Sequence, residues 1–283
     1  MTSAYCSDLS LSSGESLAGT ATTAEHWLLV EMGGSWPRDV SADGVLPAPA
    51  HDAVTRWLER TPGSRVLFIR RPGRPVGSPV AFVVRAAETT TEVRRIALER
   101  PGDLGDVEFE RDGDRTDRQL VLVCGHGSRD ACCARRGVAV YGALTAELGD
   151  SVELWMSSHQ GGHRFAANVL VLPVGLHFGR VDPQDAERIV AGAQTGVIEL
   201  ACYRGRTCYP QAAQVAERVL RDAFRLDLVA DLQFVGMDGG IIRFHGRDGS
   251  EYDVAVTGAQ GPSVPLSCGA EPERQESFSG RIV

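Results

Sequence analysis

The stretch Gln119-Leu-Val-Leu-Val-Cys124-Gly-His-Gly-Ser-Arg-Asp-Ala-Cys132-Cys133 (residues 119–133) decides how this chain is read. Its first six residues form a continuous apolar run that ends on a cysteine, the pattern of a strand buried on both faces. A polar loop with Gly125 and Gly127 follows, and two adjacent cysteines then open a helix predicted from Cys133 to Leu148, with its stop at Gly149-Asp150. Val152 to Met156 supplies the next strand, so the unit reads strand, loop, helix, strand. A thiolate at a helix N-terminus is stabilised by free backbone N–H groups and by the helix dipole, which favours metal ligation.

The next polar segment is Ser157-Ser-His159-Gln-Gly-Gly-His163-Arg-Phe165. Its two imidazoles lie four positions apart and can converge on one centre. The intervening Gly161-Gly162 costs about 2 kcal/mol of helix propensity, so the pair suits a backbone that approaches something closely. Two thiols and two imidazoles in two strand-end loops of one predicted sheet point to a metal site. Spacing leaves the metal open. Two Cys and two His with His-x3-His are a zinc set, but the eight residues between Cys124 and Cys133 exceed the usual two to four. A [2Fe-2S] cluster suits the wider loop and accepts His in place of Cys.

Outward from this centre the chain keeps mixing helix and strand. Towards the N-terminus, Trp27 to Met32, Arg65 to Arg70 and Val80 to Arg85 read as strands, Ala50 to Arg60 as a helix and 72–75 as a turn. The charged stretch Glu99 to Arg118 is the expected domain boundary. Downstream, Asn168 to Pro173 and Leu176 to Val181 are predicted strands, and Pro183 to Thr195 and Pro210 to Phe224 predicted helices. Leu232 to Val235, Ile241 to His245 and Tyr252 to Val256 read as a meander, with a frayed end from Pro262 onward. The expected division is 1–115, 116–205 and 206–283.

Composition narrows the function classes. The 283 residues carry a formal charge of −8, and all 29 basic residues other than His are Arg. The absence of Lys removes P-loop and Schiff-base lysine chemistry. Net negative charge without a basic stripe argues against nucleic acid, whose binding is driven by counterion release around Lys and Arg. No apolar run is long enough to span a membrane, the stretch from Ala166 to Leu176 being broken by Asn168 and Pro173. Residues 1–16 lack the basic start and apolar run of a signal peptide, so a cytoplasmic location is expected. Seven Cys, an odd number at uneven spacing, argue against a disulfide scaffold. Cys6 and Cys268 read as bystanders, Cys202 and Cys208 as packing, and Asp112-Gly-Asp114 as a turn rather than a calcium loop.

LVLVCGHGSRDACCARRG (Leu120 to Gly137) and SSHQGGHRFAANVLVLPVGLHFGRV (Ser157 to Val181), with LAGTA (Leu17 to Ala21), WLLVE (Trp27 to Glu31) and YRGRTCYP (Tyr203 to Pro210), resemble the sucrase/ferredoxin-like family. That resemblance implies an α/β fold: a thioredoxin-like ferredoxin core with an N-terminal α/β region and a C-terminal α+β extension. It further implies a [2Fe-2S] cluster held by Cys124, Cys133, His159 and His163, with Cys132 as the alternative ligand. His126, Ser128, Arg129 and Arg164 are the expected residues around the ligands, and Arg129 is expected to pair with Asp130. No carboxylate pair supports a sucrase activity.

A diferric cluster on two thiolates and two neutral imidazoles is neutral where four thiolates leave a dianion. Its potential should therefore lie above the roughly −400 mV of all-Cys plant-type ferredoxins, with proton coupling through the outer ring nitrogens. The expected function is one-electron transfer, as a carrier or redox sensor rather than a stand-alone enzyme. The alternatives are a zinc protein using the same four residues, or a thiol redox protein using Cys132 and Cys133, or Cys124. The expected partner is a redox protein, with a basic-patched reductase matching the net charge of −8.

Overall fold

The computed structural model describes residues 5–40, 42, 44–74, 77–148 and 152–283. The expected helix stop at Gly149-Asp150, and Pro75 of the expected turn, lie outside the described residues. In chain order the first half holds α1 (Cys6–Ser12), β1 (His26–Glu31), α2 (Ala48–Arg60), β2 (Ser64–Arg70), β3 (Val80–Ala86), β4 (Thr91–Ala97) and the short β5 (Asp114–Arg115). The second half holds β6 (Gln119–Cys124), α3 (Val138–Glu147), β7 (Val152–Ser157), β8 (Val169–Leu172), β9 (Leu176–Phe178), α4 (Ala186–Gln194) and β10 (Tyr203–Arg206). The C-terminal part consists of α5 (Gln211–Phe224), β11 (Leu232–Asp238), β12 (Ile241–Gly246), β13 (Glu251–Pro265) and β14 (Pro272–Ile282).

Among the described residues one sheet has the order β10-β9-β8-β6-β7-β2-β1-β3-β4-β5, and a second has β11-β12-β13-β14. In the large sheet β6 and β7 are parallel neighbours joined through α3, and β8 and β9 follow as antiparallel strands on the far side of β6. This is the α/β, thioredoxin-like arrangement that the family resemblance implied. The first half repeats it: β1 and β2 are parallel and joined through α2, with β3 and β4 antiparallel beyond β1. The expected boundary at 115/116 thus falls inside one sheet. The halves join where the C-terminal ends of β2 and β7 pair antiparallel, Ile69 with Ser157 and Arg70 with Met156.

The faces of the sheet follow from alternation along each strand. Leu28 and Val30 pack on Ala50, Val54 and Trp57 of α2. Val121 and Val123 pack on Val140 and Leu144 of α3 and on Ile189 and Val190 of α4. The opposite faces meet each other. Trp27, Leu29 and Phe82 of the first half share a core with Leu120, Leu122, Trp155 and Leu170 of the second, and the Phe82 and Trp155 rings stand edge to face at 5.9 Å. Strands so far apart in the order touch because the sheet folds back on itself at the β2–β7 seam.

The C-terminal sheet has its own core with α5, built from Val215, Leu220, Ile242, Phe244 and Val254. A fully buried Glu217–Arg221 pair at 2.9 Å anchors α5: Tyr203 of β10 donates to Glu217 at 2.9 Å, and Arg221 donates to the Leu228 carbonyl at 2.8 Å. The end expected to fray from Pro262 is instead a long hairpin, in which Val264 pairs with Glu273 and Thr257 with Ser279. Backbone pairing along both strands holds residues whose polar side chains carry no apolar alternation. The charged stretch Glu99 to Arg118 is also partly ordered, with a 3₁₀ turn at Pro101–Asp106 that buries Leu104 and the short β5.

Candidate metal centre

Because β6 and β7 are parallel and in register from Gln119↔Val152 to Cys124↔Ser157, both chains leave the sheet at one edge. Ligands of open α/β sheets gather at such strand ends. Cys124 is fixed there by its N–H donating to the Asn168 carbonyl at 3.0 Å, and the Gly125 N–H donates to Ser157 at 3.0 Å. After the loop, the helix expected from Cys133 begins two residues earlier, at Ala131, and takes a π-type turn over Cys133–Gly137 before α3. Such turns recur at functional sites. The turn sits directly on the strand end: a Cβ on Gly137 would lie 1.9 Å from the Cys124 carbonyl oxygen. Only glycine lets the helix bring the Cys133 side chain over Cys124.

The second loop is anchored just as closely. Ser158 exchanges two bonds with Phe68, its N–H donating to the carbonyl at 2.7 Å and its hydroxyl accepting the Phe68 N–H at 2.9 Å. The buried Gln160 amide donates to the Leu122 carbonyl at 2.9 Å and to the Ser157 hydroxyl at 2.7 Å. Gly161 and Gly162 both have positive φ, 98° and 69°. A Cβ at Gly162 would meet the Arg204 guanidinium at 2.6 Å, so the double glycine does mark a close approach, to an arginine. Arg204, fully buried, donates to the Asn168 side-chain oxygen at 2.8 Å, to the Gly161 carbonyl at 3.1 Å and to the Thr20 carbonyl. Burial, and then Arg164 nearby, bring its pKa down to about 9.

These anchors place donor atoms of Cys124, Cys133 and His159 within 4.8 Å of one another. The His163 ring centroid lies 5.0 Å from that of His159, and His163 Nε2 is 3.8 Å from a carboxylate oxygen of Asp130. His159 Nδ1 and both ring nitrogens of His163 are buried without a hydrogen-bond partner. Unpartnered buried nitrogens beside two buried thiols are costly in a folded protein, and a bound metal or cluster would satisfy them. The donor chemistry therefore fits a group that binds sulfur and imidazole. The two thiols already behave as an unequal pair: the hydrogen bond from Cys133, and next the one from His159, hold Cys124 well below the usual thiol range, while sharing that proton raises Cys133 well above it.

The neighbouring residues take more specific parts than the sequence indicated. His126 accepts the His159 N–H on Nδ1 at 3.2 Å, and its Nε2 faces the Pro37 carbonyl at 2.8 Å, which makes Nε2 the protonated nitrogen. Burial lowers the His126 pKa. Ser128 donates to the Trp36 carbonyl at 2.5 Å, and the Trp36 ring stands edge-on to His126 at 5.8 Å. Arg164 donates to Glu15 at 2.8 Å and lies over Phe165 at 4.5 Å. A cleft of about 590 Å³ opens beside His159 and His126, with Arg38, Arg65 and Arg129 on its wall.

Three expectations change. Asp130 does not pair with Arg129; it is buried and accepts the N–H groups of Cys132 and Cys268, each at 2.8 Å. Cys132 is grouped with Cys6, Cys268 and Asp130 rather than with Cys124. Consecutive residues entering a helix point about 100° apart, so Cys132 and Cys133 face different neighbours. Cys6 and Cys268 are consequently not bystanders. Arg204 and Trp36 are the participants that the sequence reading missed; Arg204 lies in a quoted motif, but burial of an arginine has no local signature.

Comparison with known proteins agrees with this picture in part. Over 108 residues the chain is 40% identical to Altered inheritance of mitochondria protein 32 of Meyerozyma guilliermondii, covering 35% of this chain and 38% of that protein. Over 106 residues it is 35% identical to the protein of the same name from Saccharomyces kudriavzevii, covering 33% and 34%. The alignments thus span little more than a third of these relatives. A thioredoxin-like [2Fe-2S] ferredoxin from Aquifex aeolicus aligns with 34% of this chain and 97% of its own, at 19% identity and a TM-score of 0.29. Residues 17–205, well over half of the chain and including both cysteine and histidine loops, match the sucrase/ferredoxin-like family, and the chain belongs to that family.

Proposed function

We propose that this protein is an electron-transfer protein that holds a [2Fe-2S] cluster through Cys124, Cys133, His159 and His163. The observation that carries the reading is the grouping of the Cys124 and Cys133 thiols with His159, whose Nδ1 is buried without a partner, on loops fixed by the sheet and by Arg204; the His163 ring stands 5.0 Å from that of His159, and its donor atoms lie outside that group. When bound, the cluster supplies a one-electron couple, and two neutral imidazoles in place of thiolates raise its potential above about −400 mV.

The chain's own residues set the conditions around it. Cys124 and Cys133 supply the negative charge from a water-poor strand end. His159 and His163 are both half-buried, His159 on the side of the cleft and His163 against Asp130. A ring nitrogen left free of a ligand bond can hold or release a proton as the local charge changes, so uptake of an electron can be coupled to uptake of a proton. His126 holds the His159 backbone in place through its N–H bond.

The cleft beside His159 opens the site to the surface, and the excess of Arg38, Arg65 and Arg129 over Asp39 on its wall favours a partner with an acidic docking face. This local charge differs in sign from the −8 of the whole chain, which matched a basic reductase. The expected setting is a reducing compartment such as the cytoplasm, where thiols stay available as metal ligands.

The test is the visible spectrum of anaerobically purified protein with iron and acid-labile sulfide assays. Equimolar iron and sulfide, two of each per chain, with broad visible absorption bleached by one electron is the expected result. Colourless protein with zinc bound at Cys124 and Cys133, and without sulfide, would overturn the reading in favour of a zinc centre.

A further inference from the structure

Three cysteines remote in the chain meet on the other side of the Cys132-Cys133 pair. Cys6 lies in α1, Cys132 at the entry to the helix and Cys268 in the β13–β14 turn. The sulfur separations are 3.5 Å for Cys6–Cys132, 3.2 Å for Cys132–Cys268 and 3.6 Å for Cys268–Cys6. An Asp130 carboxylate oxygen lies 3.3 Å from the Cys268 sulfur and 3.8 Å from the Cys6 sulfur. All four donor atoms fall within 4.8 Å of one another, and Cys6, Cys132 and Asp130 are buried.

Packing alone explains this group poorly. Thiols do fill cores, but here a buried carboxylate sits among three of them, and among the described residues its basic neighbour is His163, with Nε2 at 3.8 Å. A buried carboxylate without a cation is expensive. The spacing also suits a metal. With Zn–S bonds of about 2.3 Å a tetrahedron has edges of about 3.8 Å, and the observed separations lie within about 0.6 Å of that. The Asp130 oxygens are already aimed by two backbone N–H bonds from Cys132 and Cys268, which hold the carboxylate in position to ligate.

We propose that Cys6, Cys132, Cys268 and Asp130 form a second metal site, a closed tetrahedral zinc centre with a structural role. Three soft sulfurs and one carboxylate exclude calcium and magnesium, which take oxygen ligands, and four protein ligands leave no open catalytic position. Binding displaces three thiol protons into solvent as the Zn–S bonds form. The centre pins α1 and the C-terminal hairpin to the loop that carries Cys124 and Cys133. Its ligands are distinct from Cys124, Cys133 and His159, and the two groups approach each other where His163 Nε2 lies 3.8 Å from Asp130.

The experiment is zinc, iron and sulfide content measured on the same preparation of the full chain. One zinc per chain is expected in the wild type and in Cys124→Ser. Cys6→Ser and Cys268→Ser should lose the zinc yet keep whatever iron and sulfide the wild type holds. Zinc retained in both of these variants would overturn the proposal, as would wild-type protein without stoichiometric zinc after zinc supplementation. Zinc lost from Cys124→Ser alone would assign the metal to the other group and overturn both readings, whereas zinc at the new site with no iron anywhere would overturn only the electron-transfer reading. Should the Cys6 and Cys268 variants fail to fold, cobalt added to zinc-depleted Cys124→Ser, which keeps all three sulfurs of the new site and lacks one of the other group, gives the answer. Intense sulfur-to-cobalt charge transfer with tetrahedral visible bands is expected, and pale octahedral cobalt would overturn the proposal.

Discussion

The two halves of the large sheet share one strand plan, β2-β1-β3-β4 against β7-β6-β8-β9, yet only the second carries the ligand-bearing loops. At the end of β6 the chain continues into glycine, histidine and cysteine, and it turns back over the strand because Gly137 allows contact. At the equivalent end of β1 the chain plants Trp36, whose ring lies under the Arg70 guanidinium at 4.4 Å and edge-on to His126. The Trp36 and Pro37 carbonyls accept bonds from Ser128 and His126. One half therefore holds the candidate centre, and the other closes one side of it. The same scaffold serves two purposes because the difference lies in the strand-end loops and not in the sheet.

The sharpest test of this division is at the cysteines. Cys133→Ser should abolish visible absorption and labile sulfide, while Cys132→Ser should retain both; spectra and sulfide assays of the two purified variants decide it. Next in size is Arg204→Met, which leaves the Gly161 and Thr20 carbonyls and the Asn168 oxygen buried without their donor. A loss of roughly 4 kcal/mol in urea unfolding is expected, and a loss under 1 kcal/mol would show that the histidine loop does not depend on this brace.

Trp36→Ala probes the supporting half. It should cost about 3 kcal/mol of stability by cavity formation while leaving the iron and sulfide content intact. Loss of the cluster in a folded Trp36→Ala protein would mean that the first half does more than cover the site. The mildest effect is that of pH. His177 is buried, and burial holds its pKa well below 6.5. The unfolded chain then binds a proton that the folded one refuses, so stability present above pH 6.5 is lost as pH falls below it. The slope from this residue approaches about 1.4 kcal/mol per pH unit, and His177→Gln should flatten it in urea titrations between pH 6.5 and 5.

Legibility in the sequence followed how local the cause was. β6 matches its expected span residue for residue because an unbroken apolar run has one reading, and α5 is within a residue because Val215, Val219 and Leu220 mark one face. β4 was missed because Thr-Glu-Val-Arg-Arg-Ile-Ala interleaves charge with its buried Val93 and Ile96. The terminal hairpin was missed because its polar, glycine-containing strands are specified by pairing. The repeated strand plan leaves no sequence period, since two sets of residues build it differently. The Cys124, Cys133, His159 and His163 spacing was visible as motif; the Cys6, Cys132 and Cys268 meeting was not, because its members are up to 262 positions apart.

The core shared by the two halves also bears on how the chain is made. Trp27, Leu29, Leu67 and Phe82 leave the ribosome before any of their partners on β6, β7 and β8 exist. At about 5–20 residues per second, that apolar face waits on the order of ten seconds for its cover. Cover for this face therefore arrives with the same strands that deliver the cysteines and histidines.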